Sequence, residues 1–303
     1  MVRLLLHNTQ GALAAVVRGK GSAVCKPDYA PCSWARWRRE PSPVPPRKGD
    51  AMNPEIKTKL LRYYDRSVAE CASSILENIP VVPGCTLLDT GCSNGVFTLR
   101  WAEAAQARRV MGIEIFETVA AEARERGIEI VSSDLNGPFD VADESIDVVT
   151  ANQVIEHLYN TDGFLREILR VLRPGGVLVL STNNLASWHN VAALVVGAQP
   201  FPADVSTNPD IGKLVRVIGD DTGGWASFTH LRVFSHRALK EMMAAHGFII
   251  ERIQGIGYYP LPSRVAARVA AADPRHAAYL TLRCRKPVRA SEREAERVIT
   301  KAT

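Results

Sequence analysis

Leu87-Leu88-Asp89-Thr90-Gly91-Cys92-Ser93-Asn94-Gly95 carries an apolar strand straight into an acidic turn punctuated by glycine. Val96 to Ala107 continues with helical character, so the free N–H groups of a helix N-terminus face that turn. Gly91 and Gly95 let the backbone bend sharply and come close to a ligand. The result is a nucleotide-binding corner without the dinucleotide fingerprint, because G-x-G-x-x-G needs glycine where Ser93 and Val96 stand. Asp89, at the strand end, would set a negative charge beside a diphosphate and suits a cationic or zwitterionic ligand better.

The run from Asp89 to Gly95 resembles the first motif, D/E-x-G-x-G-x-G, of the class I methyltransferases that use S-adenosylmethionine (SAM), with Ser93 in place of the middle glycine. The resemblance extends over about Val81 to Pro287. It implies SAM as cofactor, held by a loop that includes Asp89, Gly91, Cys92 and Gly95. Glu114, at the end of the apolar run Arg109 to Ile113, stands where such folds place the acid that takes both ribose hydroxyls. Its alternative is a solvated acid at a strand end. After Ile128 to Val131, the resemblance sends Asp134 to the adenine amino group and Leu135 to the ring, whereas the residue type alone equally suits a turn before Asn136-Gly137-Pro138. Ser145 to Asn152 reads as a further strand, with Asn152 expected at the cofactor and the lip of the active site in Gln153 to Leu158.

Asp162 to Leu172 has Phe164, Leu165, Ile168, Leu169 and Leu172 at helical spacing; Arg173-Pro174-Gly175-Gly176 stops it, and Val177 to Thr182 is a buried apolar strand. The L-R-P-G-G-x-L sequence is a second family hallmark. Ser235 to Ala245 forms a helix ended by Gly247, and Phe248 to Ile253 with Ala278 to Arg283 resemble the family's last two strands, an antiparallel hairpin pair at the sheet edge. The expected architecture is α/β: a Rossmann-like, seven-stranded, mostly parallel sheet flanked by helices. Asn183 to Thr229 is too long for an ordinary connection, so a lid insertion after strand 5 is expected at about residues 183–230, with Trp188, His189 and His230 at the acceptor substrate. Phe201, Trp225 and Phe228 belong to the same stretch, and a small satellite core is the alternative.

The 303 residues are 46% apolar with a net charge of +5. Residues 1–50 hold nine Lys/Arg against three Asp/Glu, which leaves 28 against 29 in residues 51–303. That nearly neutral remainder has no basic excess to hold nucleic acid, and none is expected as a partner. Trp34 to Arg39 and the prolines at 41, 43, 45 and 46 show no sustained period, so residues 1–51 read as disordered or loosely attached. The methyltransferase domain is then 52–287, opening with a helix at Asn53-Pro54 that brings Ile56, Leu60, Tyr63 and Tyr64 to one face, and 288–303 form a charged tail. No secretory signal or apolar stretch of ~20 residues is found, so no membrane span is expected and the location is cytoplasmic. Six cysteines include no C-x-x-C pair, and Cys92 reads as a small filler of the cofactor loop.

The imidazole nearest the expected methyl group is His157, a general base with an ordinary pKa near ~6.5. Ubiquinone-biosynthesis O-methyltransferases and small-RNA 3′-end methyltransferases read E-x-x-E-H at this place and hold a divalent metal. Here the run is Gln153-Val154-Ile155-Glu156-His157, with His189 or His230 as a later partner. The working expectation is a base and no metal, with a divalent cation as the alternative. The overall reading is O-methylation of a hydroxyl on a small molecule such as a sugar, glycolipid precursor or secondary metabolite. A methyltransferase on nucleic acid or protein and a non-catalytic SAM-binding protein are the alternatives.

Overall fold

A computed structural model describes residues 66, 69–206, 211–214 and 229–288. The expectations for residues 1–51, Asn53, Pro54, Tyr63, Tyr64, Trp225, Phe228 and the C-terminal tail beyond 288 lie outside the described residues. The chain runs through a helix over 69–78 (α1), β1 (Thr86–Thr90), α2 (Val96–Ala105), β2 (Arg109–Ile113), α3 (Glu117–Glu125), β3 (Glu129–Val131), β4 (Ile146–Asn152), α4 (Thr161–Val171) and β5 (Leu172–Asn183). It continues with α5 (Trp188–Val195), α6 (His236–Ala245), β6 (Ile249–Ile256), α7 (Ser263–Ala272) and β7 (Tyr279–Arg285).

The seven strands form one sheet in the order β3-β2-β1-β4-β5-β7-β6. The first five pair in parallel, and β7 runs antiparallel to both β5 and β6. Adjacent side chains point to opposite faces of a strand, so each buried strand feeds two cores. Leu88, Val149, Leu178 and Leu180 enter one core with Phe164, Leu165 and Ile168 of α4 and Leu239 and Met243 of α6. Leu87, Val148, Val177 and Val179 enter the other with Ile75 of α1 and Trp101 of α2. Each fully buried Leu, Ile or Phe contributes about 1.5–3 kcal/mol, so the C-terminal strand ends rest on a heavily anchored frame.

Two local expectations change. Strand β5 starts at Leu172, because Leu172 pairs with Ile146 and Val177 with Val148. Arg173 to Gly176 therefore make an outward excursion within the strand, where the Arg173 guanidinium pairs with Asp147. The last two strands are neighbours but not a hairpin, since α7 and a short turn of 3-10 helix (Pro274–His276) separate them and β7 inserts between β5 and β6. Among the described residues no helix is long and apolar enough to cross a membrane.

Candidate active site

The loop after β1 is built around Asp89, which is 2% exposed. Its Oδ2 accepts from the Thr98 hydroxyl at 2.5 Å and its Oδ1 from the Thr150 hydroxyl at 2.8 Å, which ties the loop to α2 and β4. Burial pushes the carboxyl up to about 7, against the two hydroxyl bonds. Both oxygens are thus engaged inside the protein, so Asp89 acts on the loop's shape.

Gly91 has φ +77°, and a Cβ there would come 2.8 Å from Val154 Cγ2. Gly95 has φ +81°, and its Cβ would meet Ile128 Cδ1 at 2.3 Å and Ala123 Cβ at 3.3 Å. Gly95 is therefore favoured by its left-handed backbone and by packing against the end of α3 and the start of β3, in addition to the expected approach to a ligand. Ser93 takes the place of the motif's middle glycine at φ +49°, a left-handed conformation that a non-glycine residue rarely adopts. Cys92 is buried against Gly112, whose Cβ would fall 2.4 Å from the thiol sulfur, and burial raises the thiol to about 12. It fills space and is no nucleophile at neutral pH.

Glu114 follows β2, and because Thr90 pairs with Ile113 its carboxylate lies beside the loop. Oε2 accepts from the Ser93 N–H at 3.0 Å, and Oε1 from the N–H groups of Ile115 and Phe116 at 2.8 and 2.9 Å. A carboxylate offers about four acceptor positions, so one remains. Asp134 is exposed, and its Oδ1 takes the Asn136 N–H at 2.9 Å and the Asn136 side-chain amide at 3.0 Å, the turn geometry its residue type suggests. Leu135 packs at the margin of the core beside it. Asn136 in turn caps the start of α4 through Tyr159 and Asn160. Asn152 ends β4, where its Oδ1 accepts from the Ser181 hydroxyl at 2.7 Å.

Beyond β4 the chain makes a single 3-10 turn, Ile155–His157. Glu156 is fully buried; Thr182 donates to it at 2.9 Å and Asn183 at 3.2 Å, and burial pushes its carboxyl up to about 7. Turned so that its amide nitrogen meets Glu156 Oε1 at 3.2 Å, Gln153 also accepts from the Thr182 N–H. His157 and His230 approach to 4.8 Å between ring centroids, and Glu156, His157 and His230 bring ligating atoms within 4.8 Å of one another. Nδ1 of His230 faces the Pro202 carbonyl at 3.0 Å and Nδ1 of His157 the Thr229 carbonyl at 3.4 Å. Both protons then sit on Nδ1, and the lone pairs on Nε2.

Burial, reinforced by the neighbouring His230, lowers His157 to about 4. The expectation of an ordinary histidine pKa is therefore overturned: the ring is neutral throughout the physiological range. His230 owes its place to Asp204 and Lys213, two residues within the stretch 183–230 that carry no signal of their own in the sequence. Asp204, 5% exposed in its side chain, accepts from the His230 N–H at 3.0 Å and pairs with the equally buried Lys213 at 2.6 Å. His189 does not join the cluster; it contacts Ser187 at 3.3 Å and Tyr259 edge-on, and burial lowers it to about 4. Trp188, 50% exposed, stacks on His276 with centroids 4.4 Å apart.

A mostly parallel sheet with a glycine loop after β1 and an acid after β2 defines a class of nucleoside-binding enzymes, and similarity to known proteins gives the family. A model described as a methyltransferase domain matches residues 88–180. Over 193 residues the chain is 32% identical to a protein of Mycolicibacterium smegmatis named "Probable S-adenosylmethionine-dependent methyltransferase", a match covering 62% of this chain and 71% of that one. It is 27% identical over 222 residues to a ubiquinone biosynthesis O-methyltransferase of Caulobacter vibrioides, covering 69% and 74%. A trans-aconitate 2-methyltransferase of Variovorax paradoxus is 23% identical, covering 70% and 83%. The fold is shared with a SAM-dependent methyltransferase structure from Mesorhizobium loti, at TM-score 0.50 and 21% identity over 72% of this chain and 99% of that one. The chain belongs to the class I SAM-dependent methyltransferases, and SAM is its cofactor.

Proposed function

We propose that this enzyme transfers the SAM methyl group to a hydroxyl of a small molecule. The observation that carries the reading is the convergence of Glu156, His157 and His230 at the turn after β4, where Val154 lies against Gly91 of the loop 89–95. In the transfer the acceptor oxygen attacks the methyl carbon, the carbon–sulfur bond breaks and its electron pair stays on sulfur, while the hydroxyl proton must leave to a base. His157 is neutral and takes that proton on Nε2 as the transfer proceeds. The near-neutral charge of residues 51–303 favours a small acceptor over nucleic acid, and the name of the Caulobacter relative points the same way.

On the cofactor side, the loop Gly91–Gly95 takes the methionine portion, with Cys92 packed beneath it and Asp89 fixing its course. Glu114 takes one ribose hydroxyl, not both, with its remaining acceptor position, Asp134 the adenine amino group with its second oxygen, and Leu135 the ring; Asn152 lines the mouth of the site. Trp188, His189 and His230 face the acceptor from the segment after β5, which serves as the lid over residues 183–230.

A second reading rests on the two histidine tautomers. Imidazoles that donate Nδ1–H to backbone carbonyls present Nε2 as metal ligands do, and Glu156 adds the anionic oxygen. These residues fit a divalent cation, which would supply Lewis acidity toward the hydroxyl.

Both readings are tested by incubating the enzyme with methyl-labelled SAM and separate pools of hydroxylated, carboxylated and amine acceptors, with and without chelator. An O-methyl ether is the expected product. Activity lost on chelation and restored by magnesium or manganese selects the metal reading. Methyl found only on a carboxylate, a nitrogen or nucleic acid overturns the proposal.

A further inference from the structure

Just before β7 stands another imidazole, this one fixed by a carboxylate. Nδ1 of His276 lies 2.7 Å from Asp273 Oδ2, which also accepts from the Tyr258 hydroxyl at 2.8 Å. Asp273 Oδ1 is buried without a hydrogen-bond partner among the described residues, with only the Arg275 guanidinium at 3.5 Å. A carboxylate on Nδ1 fixes the tautomer and leaves the lone pair on Nε2. The His276 side chain is 31% exposed, and one of its faces is covered by Trp188, which is itself half exposed.

The position of this pair follows from two consecutive residues at the end of β5. Asn183 donates to Glu156 at 3.2 Å; Asn184 donates to the carbonyls of Arg275 and Ala277 at 2.9 and 2.7 Å, on either side of His276. One strand end therefore anchors both imidazole sites at the C-terminal edge of the sheet, where open α/β sheets bind their ligands. Neither the methyl-transfer step nor the cofactor uses Asp273 or His276.

We infer that His276, oriented by Asp273, and the exposed indole of Trp188 form an acceptor subsite for a ring that carries at least two hydroxyls. Nε2 accepts a hydrogen bond from the hydroxyl that is not methylated, and the indole stacks on the ring. A lone-pair nitrogen receives a hydroxyl and repels a carbonyl or phosphate oxygen, so the pair selects hydroxyl donors. The inference rests on the hydroxyl-acceptor reading above and narrows its substrate class.

The test uses the full chain saturated with S-adenosylhomocysteine, titrated separately with catechol and with methyl β-glucoside and followed by ligand-observed NMR. At least one probe binds; catechol alone identifies a phenolic ring as the source, and the glucoside alone a sugar. His276→Ala and Asp273→Asn each weaken that probe at least tenfold with unchanged S-adenosylhomocysteine affinity and Tm. Asp273→Asn also moves the His276 proton to Nε2, read from the ring nitrogen shifts, which a purely structural role would not do. Trp188→Ala weakens binding and Trp188→Phe recovers part of it. Failure of both probes to bind, or variants that bind like the parent, overturns the subsite. If the subsite holds while no acceptor pool yields an O-methyl ether, the hydroxyl-acceptor reading falls instead.

Discussion

The proposed cofactor site and the proposed acceptor site are assembled by different routes. Around the loop after β1, most of the ties are short in the chain: Asp89 is held by Thr98 nine residues on and Ser93 by Glu114 twenty-one residues on, with Thr150, sixty-one residues on, as the long-range one. At the acceptor end, His157 meets Thr229 seventy-two residues away, and Asn184 meets Ala277 ninety-three residues away. The first end is mostly a local supersecondary motif, tied to β4 through Thr150. The second depends on the sheet to bring its pieces together, so it can vary without disturbing the cofactor.

The sharpest break of the cofactor end is Gly95→Val. A β-branched side chain at φ +81° must adopt a left-handed backbone and also displace Ile128 and Ala123. Strain and overpacking together cost about 3 kcal/mol or more, or roughly 6 °C or more of Tm. Thermal unfolding should show this before any SAM titration does; a variant that melts like the parent yet loses SAM would assign Gly95 to ligand contact alone.

A pH dependence separates the two buried carboxyls from ordinary ones. Asp89 and Glu156 have folded pKa values of about 7, above their ordinary 3.8 and 4.5, because burial disfavours the charged form. The folded state thus holds more protons than the unfolded one between those values. The stability contributed is full below the unfolded pKa and is lost as pH rises toward 7, at a slope of up to about 1.4 kcal/mol per pH unit for each group. Denaturant melts from pH 4.5 to 8 should show a shallower fall in Asp89→Asn and Glu156→Gln than in the parent. Equal slopes would mean that neither carboxyl is shifted.

The same contrast explains what could be read from residues alone. Strand-turn-helix periodicity, Gly91, Gly95 and the spacing to Glu114 make β1, α2 and β2 legible, and the alternation of apolar segments gives the α/β sheet. Leu172 joining β5 was hidden because strand pairing resumes across Arg173-Pro174-Gly175-Gly176, residues that locally read as a stop. The insertion of β7 between β5 and β6 was hidden because neighbours in sequence normally pair by a turn, and here α7 intervenes. Asp204 carried no local signal; it acquires its role only when a distant histidine arrives. A histidine three residues after an aspartate, as in Asp273 and His276, was a weak sign of a paired imidazole.

At the acceptor end, His157→Ala should lower turnover by ~10²-fold or more while SAM affinity holds, since a base acts on the acceptor. With burial lowering its pKa to about 4, the ring is already neutral well below pH 6. The parent's rate should therefore show no histidine limb near neutrality, and any acid limb should fall near pH 4. A limb close to 6.5 that vanishes in the variant would show that the site relaxes to admit water before it reacts.

The smallest effect is expected where the contacts are most local. Glu114→Ala removes the acceptor of the Ser93, Ile115 and Phe116 N–H groups along with the proposed ribose ligand. Those N–H groups lie at an exposed loop, and water can replace the lost bonds, so stability should change by no more than about 1 kcal/mol. The hydrogen bond to a ribose hydroxyl is charge-assisted and worth about 1.5 kcal/mol or more, so SAM affinity should fall about tenfold. Glu114→Gln keeps an acceptor but loses the charge and should lie between the two. Calorimetric titration of SAM against all three proteins decides it: affinity unchanged in Glu114→Ala would leave the residue with its loop-capping bonds alone, and the ribose would have to be held from elsewhere in the crevice.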